Sequence, residues 1–152
     1  MPITSAGSTC ATRLVYVEVL EDEKAATAVG FLGRAVAHFA AFGIRVERLM
    51  TDNGNAYRST IHALACKTLG IKHLRTRPYR PRTNGKAERF IRTLLGGWAY
   101  GAIYQNSDQR RRALAGWIDF YNRRRPHRSL GRQAPLERLH ALNRNNVLGS
   151  YT

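Results

Sequence analysis

The stretch RVERLMTDNG, residues 45–54, decides the fold: a strand-like segment stops there on a turn, with helical patterns on both sides. Residues 45–51 read as a strand, and Asp52-Asn53-Gly54 as the turn that ends it. Upstream, Ala25, Ala28, Val29, Leu32, Ala35, Val36 and Phe39 recur at helical spacing, and Gly43 can stop that helix. Glu21, Asp22 and Glu23 place negative charge at its start, where the backbone dipole favours it. Before it, LVYVEVL (residues 14–20) alternates and is β-branched, the pattern of a strand.

Downstream, Ile61, Leu64, Ala65 and Leu69 predict a helix over 58–69 that closes at Gly70, and residues 71–77 predict a third short strand. Pro78 and Pro81 force their neighbours to be extended. Asn84 can cap a long helix whose apolar face is Ala87, Phe90, Ile91, Leu94, Leu95 and Trp98, with Gly96 and Gly97 predicting a kink. Ser107-Asp108 opens a further helix carrying Leu114, Trp117, Ile118 and Tyr121, ended by Pro126. Alternating strands and helices imply an α/β layered domain with parallel strands, followed by C-terminal helices. Residues 1–12 are small and polar without a period and read as an unstructured leader; residues 143–152 read as a polar tail.

A length of 152 residues suits one domain, and 43% hydrophobic content supports a core. No apolar run reaches the roughly 18 residues of a membrane span, and no basic-then-apolar leader opens the chain. It reads as a cytoplasmic chain with no membrane partner. Cys10 and Cys66 fit no metal-ligand spacing, and Cys66 reads as a small buried residue on a helix. His73, His127 and His140 share no ligand spacing either. The formal charge is +15, unevenly distributed. Residues 1–52 hold five Lys/Arg against six Asp/Glu, whereas residues 53–152 hold twenty against four. Such a balance implies a polyanionic partner, because each Lys or Arg placed on a phosphate releases condensed counterions.

Acidic residues are scarce in the basic portion, so two positions stand out. Asp52 ends a strand, the usual place for a site in an open α/β sheet, and Glu88 lies in the first turn of the long helix, with 35 residues between them. Two carboxylates on rigid elements are the hard oxygen ligands that Mg²⁺ prefers, and paired ions could activate a hydroxyl at a phosphodiester. Taken singly, each has a plainer reading. Asp52 also fits a turn former, and Glu88 an i,i+4 partner of Arg92.

Three motifs in order are more specific. Met50-Thr51-Asp52-Asn53-Gly54, then RTRPYRPRTNGKAERF (residues 75–90), then Tyr121-Asn122 with Arg125-Pro126-His127, Ser129-Leu130-Gly131 and Pro135 resemble the catalytic core of insertion-sequence transposases of the retroviral-integrase superfamily. The resemblance covers roughly Thr12 to Leu139 and implies a partial integrase core over residues 13–142 with an RNase H-like fold. It also implies Mg²⁺- or Mn²⁺-dependent DNA strand transfer, with Asp52 and Glu88 as catalytic and metal-holding residues. Its implied partners are DNA, both element ends and target, and further copies of the chain.

One departure is equally specific. The family carries a first catalytic Asp on an opening strand, followed by a second strand, whereas none of the thirteen residues before Leu14 is acidic. Glu18, Glu21, Asp22 and Glu23 come too late to replace it. The expected fold is therefore incomplete, its opening strands missing, and the expected isolated chain inactive. The alternative is a non-catalytic DNA-binding or regulatory remnant of a transposase.

Arg75, Arg77, Arg80, Arg82, Lys86, Arg89 and Arg92 surround Glu88 in sequence and could track a DNA backbone. Arg123, Arg124 and Arg125, with Arg128, form a second patch suited to DNA or to another protomer. Trp98, Trp117, Tyr100 and Phe120 read as core rather than as base-stacking platforms.

Overall fold

Strand and helix alternate along the chain in a computed structural model that describes residues 3–8, 12–76 and 85–149. In order come β1 (Ile3–Ser8), β2 (Val15–Leu20), α1 (Ala25–Ala41), β3 (Arg48–Thr51), α2 (Thr60–Thr68), β4 (Lys72–Arg75), α3 (Gly85–Leu94), α4 (Ser107–Arg123) and α5 (Pro135–Gly149). Short 3₁₀ turns at Asn55–Arg58 and Arg128–Leu130 and a π-turn at Leu95–Ala99 complete the order. The chain forms two compact units, one of residues 1–5 with 18–90 and one of residues 6–17 with 91–152.

Two strand pairs make up the described sheets: β1 with β2, and β3 with β4. The second pair is parallel, with Arg48, Leu49, Met50 and Thr51 opposite Lys72, His73, Leu74 and Arg75. A parallel pair needs a crossover, and the helix α2 supplies it. Among the described residues β2 and β3 are not hydrogen-bonded neighbours.

In the first unit, burial of Leu32, Cys66 and Ile71, packed with Val36, Val46, Leu49 and Ala65, holds α1 and α2 to the β3–β4 pair. The start of α1 uses its acids as its charge pattern suggests. Asp22 accepts a hydrogen bond from the Lys24 N–H at 2.9 Å and another from the Thr27 hydroxyl. Those bonds, Thr27 first, hold its carboxyl below the usual range. At the far end Gly43, at φ +74°, lets Gly43 N–H and Ile44 N–H return to the carbonyls of Ala40 and Phe39.

In the second unit, Leu14, Val15, Leu94, Trp98, Leu114, Tyr121, Leu130, Leu136 and Leu139 are buried. The glycine pair ends α3 as the kink expectation requires: the helix gives way to the π-turn that contains Gly96 and Gly97. Gly97 is there for space. A Cβ on it would stand 2.5 Å from Nε1 of Trp117. Gly97→Ala is therefore expected to cost about 1–3 kcal/mol through forced movement of the indole, measured as a lower urea midpoint. An unchanged midpoint would show that Trp117 is not held where it lies.

Four sequence expectations are corrected. Residues 3–8 form a strand rather than an unstructured leader, because pairing with β2 satisfies backbone groups that weak local propensity leaves undecided. The helix α5 runs to Gly149 rather than yielding to a polar tail at 143. Pro135 suits its first turn, Glu137 accepts from the Ala134 N–H at 2.8 Å, and Leu136 and Leu139 anchor it. On α2 Cys66 is buried as read, but its buried companion is His62, whereas Ile61, Leu64 and Leu69 are exposed. Tyr100 and Phe120 are exposed rather than core, while Trp98 is buried with its Nε1–H donated to the Arg110 carbonyl at 2.9 Å. Among the described residues no helix is long and apolar enough to cross a membrane.

Candidate functional site

The site grows from the end of β3. Thr51 continues the ladder by accepting the Thr76 N–H on its carbonyl at 2.9 Å, so the chain leaves the sheet one residue later, at Asp52. Asp52 then folds its side chain back, and Oδ1 accepts the Gly54 N–H at 2.8 Å. Glycine at position 54 eases that approach, since a Cβ there would stand 3.0 Å from Oδ1, tighter than ordinary contact. Asn53 completes the turn by donating Nδ2–H to the Thr76 carbonyl at 2.8 Å, which ties the turn to the strand beyond β4. Behind it, the Thr51 hydroxyl donates to the Asp52 carbonyl at 3.0 Å and lies 2.7 Å from Nε2 of His73. The plain turn-former role of Asp52 is thus real, and it fixes an exposed carboxylate whose Oδ2 has no hydrogen-bond partner among the described residues.

Glu88 is exposed in the first turn of α3, in the same compact unit as Asp52. Among the described residues it forms no ion pair with Arg92, so the plainer reading of Glu88 finds no contact to support it. Glu18 is engaged elsewhere. Its two oxygens accept Nε–H and Nη2–H of Arg34 at 2.7 and 2.8 Å, a bidentate pair between β2 and α1.

The basic residues divide. Arg75, Arg89 and Arg92 are exposed, and Lys86 lies in the first turn of α3. Arg77, Arg80 and Arg82, the Asn84 cap and the Pro78 and Pro81 loop lie outside the described residues, as does Cys10. In the second patch Arg124 is exposed, Arg123 pairs with Asp119 at 2.7 Å one turn back, and the Arg125 guanidinium stands 5.7 Å from the Tyr121 ring centre.

The closing motif is structural where it can be seen. Buried Asn122 donates Nδ2–H to the Val15 carbonyl and accepts the Val15 N–H on Oδ1, both at 3.0 Å. Tyr121 packs edge-on to His127, with ring centres 4.8 Å apart. Burial, with Arg125 and Arg13 adding to it, pushes the His127 imidazole below its usual range. Gly131 and Arg132, both left-handed, reverse the chain so that the His127 N–H donates to the Gln133 carbonyl at 3.1 Å.

One cluster escaped the sequence reading. The side chains of His62, Cys66 and His73 offer ligand atoms that all lie within 4.8 Å of one another. Burial lowers both imidazoles and raises the thiol from their ordinary values. The local signal is the i,i+4 spacing of His62 and Cys66; His73 joins from β4 through packing that no spacing along the chain shows.

The chain matches two models of the integrase core domain, one over residues 9–81 and one over residues 69–135. It is 30% identical over 144 residues to the putative integrase ORF3 of Spiroplasma virus SpV1-C74, covering 86% of this chain and 40% of that protein. It is 34% identical over 92 residues to the transposase InsD for insertion element IS2D of Escherichia coli strain K12, covering 59% of this chain and 30% of that one. The chain spans less than half the length of either relative. Among solved structures, the catalytic core domain of BIV integrase superposes with a TM-score of 0.73 at 21% identity, over 96% of this chain and 90% of that one. The chain belongs to the integrase core family of the retroviral-integrase superfamily, and its fold is the RNase H-like fold of the retroviral integrase catalytic cores.

Proposed function

We propose that the chain is a transposase or integrase catalytic core that acts in DNA transposition by metal-dependent strand transfer, with Asp52 and Glu88 as two of its metal-holding carboxylates. The observation that carries this reading is the strand-end turn that presents Asp52 outward, together with an exposed Glu88 in the first turn of α3. The donor set fits a hard divalent ion, because both groups offer carboxylate oxygen and Asp52 keeps one oxygen uncommitted. A bound Mg²⁺ or Mn²⁺ would activate the attacking hydroxyl and stabilise the leaving oxygen at the phosphodiester. The chain's own part is positional: the Gly54 N–H orients Asp52, and the Asn53 and Thr76 bond keeps the turn on the sheet.

DNA is the partner that the +15 charge favours, and Arg75, Arg77, Arg80, Arg82, Lys86, Arg89, Arg92, Arg123, Arg124 and Arg125 are its proposed contacts. Work on DNA ends in pairs calls for more than one copy, in the cytoplasm where the DNA is. Phosphate contacts position DNA without reading it. Exchanging Arg80 and Arg82 together for Gln should weaken binding to all sequences alike and flatten the salt dependence of affinity. A loss confined to one sequence would contradict that role.

The 152 residues supply two of the three carboxylates that a two-ion site uses, so on their own they are expected to give no strand transfer in Mg²⁺ or Mn²⁺. Fusing the family's aspartate-bearing opening strand ahead of residue 1 is expected to restore metal-dependent joining of DNA ends. Robust joining by the 152 residues alone overturns the inactivity, and no joining by the fused core overturns the catalytic assignment.

A further inference from the structure

Three side chains outside the carboxylate site come together beneath the strand end. His62 and Cys66 lie one turn apart on α2, and His73 lies on β4. His62 and Cys66 are almost wholly buried and His73 is half-buried. Nδ1 of His62 stands 3.8 Å from Sγ of Cys66, and the rings of His62 and His73 are centred 4.8 Å apart.

We propose that His62, Cys66 and His73 form a transition-metal site for an ion of the Zn²⁺ class, which joins α2 to β4 next to the strand end that carries Asp52. Zn²⁺ takes imidazole nitrogen at about 2.0–2.1 Å and thiolate sulfur at about 2.3 Å, so tetrahedral ligands stand roughly 3.3–3.8 Å apart. The Nδ1–Sγ separation already has that value. No pair of the three is wider than 4.8 Å, so side-chain rotation alone closes the set. Two nitrogens and a sulfur are borderline-soft donors that select Zn²⁺ over Mg²⁺, the opposite of the carboxylates of Asp52 and Glu88.

Position and need agree. The cluster borders the Leu32, Cys66 and Ile71 core, and a metal is one of the staples that small cores use. The described residues offer no fourth ligand in the cluster, which leaves the fourth coordination position to water or to an incoming ligand. Occupancy would also fix the His73 ring against which the Thr51 hydroxyl rests, and so stiffen the residue that precedes Asp52. The inference stands apart from the strand-transfer reading, since neither Asp52 nor Glu88 takes part.

The test is a titration of the 152-residue chain carrying Cys10→Ser with Co²⁺ alone, followed by Zn²⁺. A thiolate-to-cobalt charge-transfer band with tetrahedral visible bands is expected, displaced by one equivalent of Zn²⁺ and unaffected by excess Mg²⁺. Adding Cys66→Ser should abolish the charge-transfer band, and Asp52→Asn with Glu88→Gln should leave it unchanged. Should Cys66→Ser fail to fold by circular dichroism, His73→Gln decides. It is expected to retain the fold and to weaken Zn²⁺ binding by at least about tenfold, the loss that even an outer partner of a metal produces. Absence of the band in the folded Cys10→Ser chain, its survival in Cys66→Ser, its displacement by Mg²⁺, or unchanged Zn²⁺ affinity in His73→Gln overturns the site.

Discussion

Asp52→Asn or Glu88→Gln, placed in a core completed with the opening strand, is expected to lower DNA strand transfer by at least about a thousandfold. A metal at a phosphoryl centre supplies several kcal/mol of charge stabilisation, and each 1.36 kcal/mol is a factor of about ten in rate. Both substitutions keep size and hydrogen-bonding capacity while removing charge. Asn at position 52 can still accept the Gly54 N–H, so the turn that bonds at 2.8 Å should persist. Binding to DNA should fall little, because the affinity rests on Lys and Arg. Loss of rate with retained DNA binding separates a metal role from a folding role. A loss smaller than tenfold in either variant would remove that residue from the metal site.

Asn122→Ala is expected to destabilise the fold by about 2–4 kcal/mol, read as a lower urea midpoint with unchanged slope. Val15 is fully buried, and its N–H and C=O both bond the Asn122 side chain at 3.0 Å. The amide does at one residue what a neighbouring strand does along a ladder: it gives and takes one hydrogen bond at the same β position. Truncation leaves a donor and an acceptor buried without partners, and each such group costs about 1–3 kcal/mol. Asn122→Asp should be no better, since a carboxylate can accept from the N–H but cannot donate to the carbonyl. A cost below about 1 kcal/mol for Asn122→Ala would mean that water reaches Val15.

Glycine at 43 and the pair at 96 and 97 act through backbone geometry, which is local, so the end of α1 and the break after α3 follow from the sequence. The parallel pairing of β3 and β4 follows from a helix standing between two strands. The strand at Ile3–Ser8 depends on a partner, β2, rather than on its own small residues, and local pattern cannot show it. Helix α2 failed more instructively. Ile61 and Leu64 outrank His62 and Cys66 in hydrophobicity, yet the latter face the core, where Cys66 meets Leu32 and Ile71 and His62 lies edge-on to Tyr57 and tilted against His73. The third member of the cluster, His73, comes from β4, which local spacing does not show. Asp52 and Glu88 are proposed from their neighbours instead. A strand end followed by Asn-Gly and a helix start rich in Arg are short-range patterns, and the structure gives the first of them a physical reason in the Asp52 and Gly54 bond.

Paramagnetic broadening by Mn²⁺ of the amide spectrum of the 152-residue chain tests the proposed shared metal site most directly, because it detects weak binding without any catalysis. Amides around Asp52 and around Glu88 are expected to broaden together at the same Mn²⁺ concentrations, and Asp52→Asn is expected to relieve both groups at once. Broadening at one carboxylate alone, or at the two with independent concentration dependence, would contradict a common metal site.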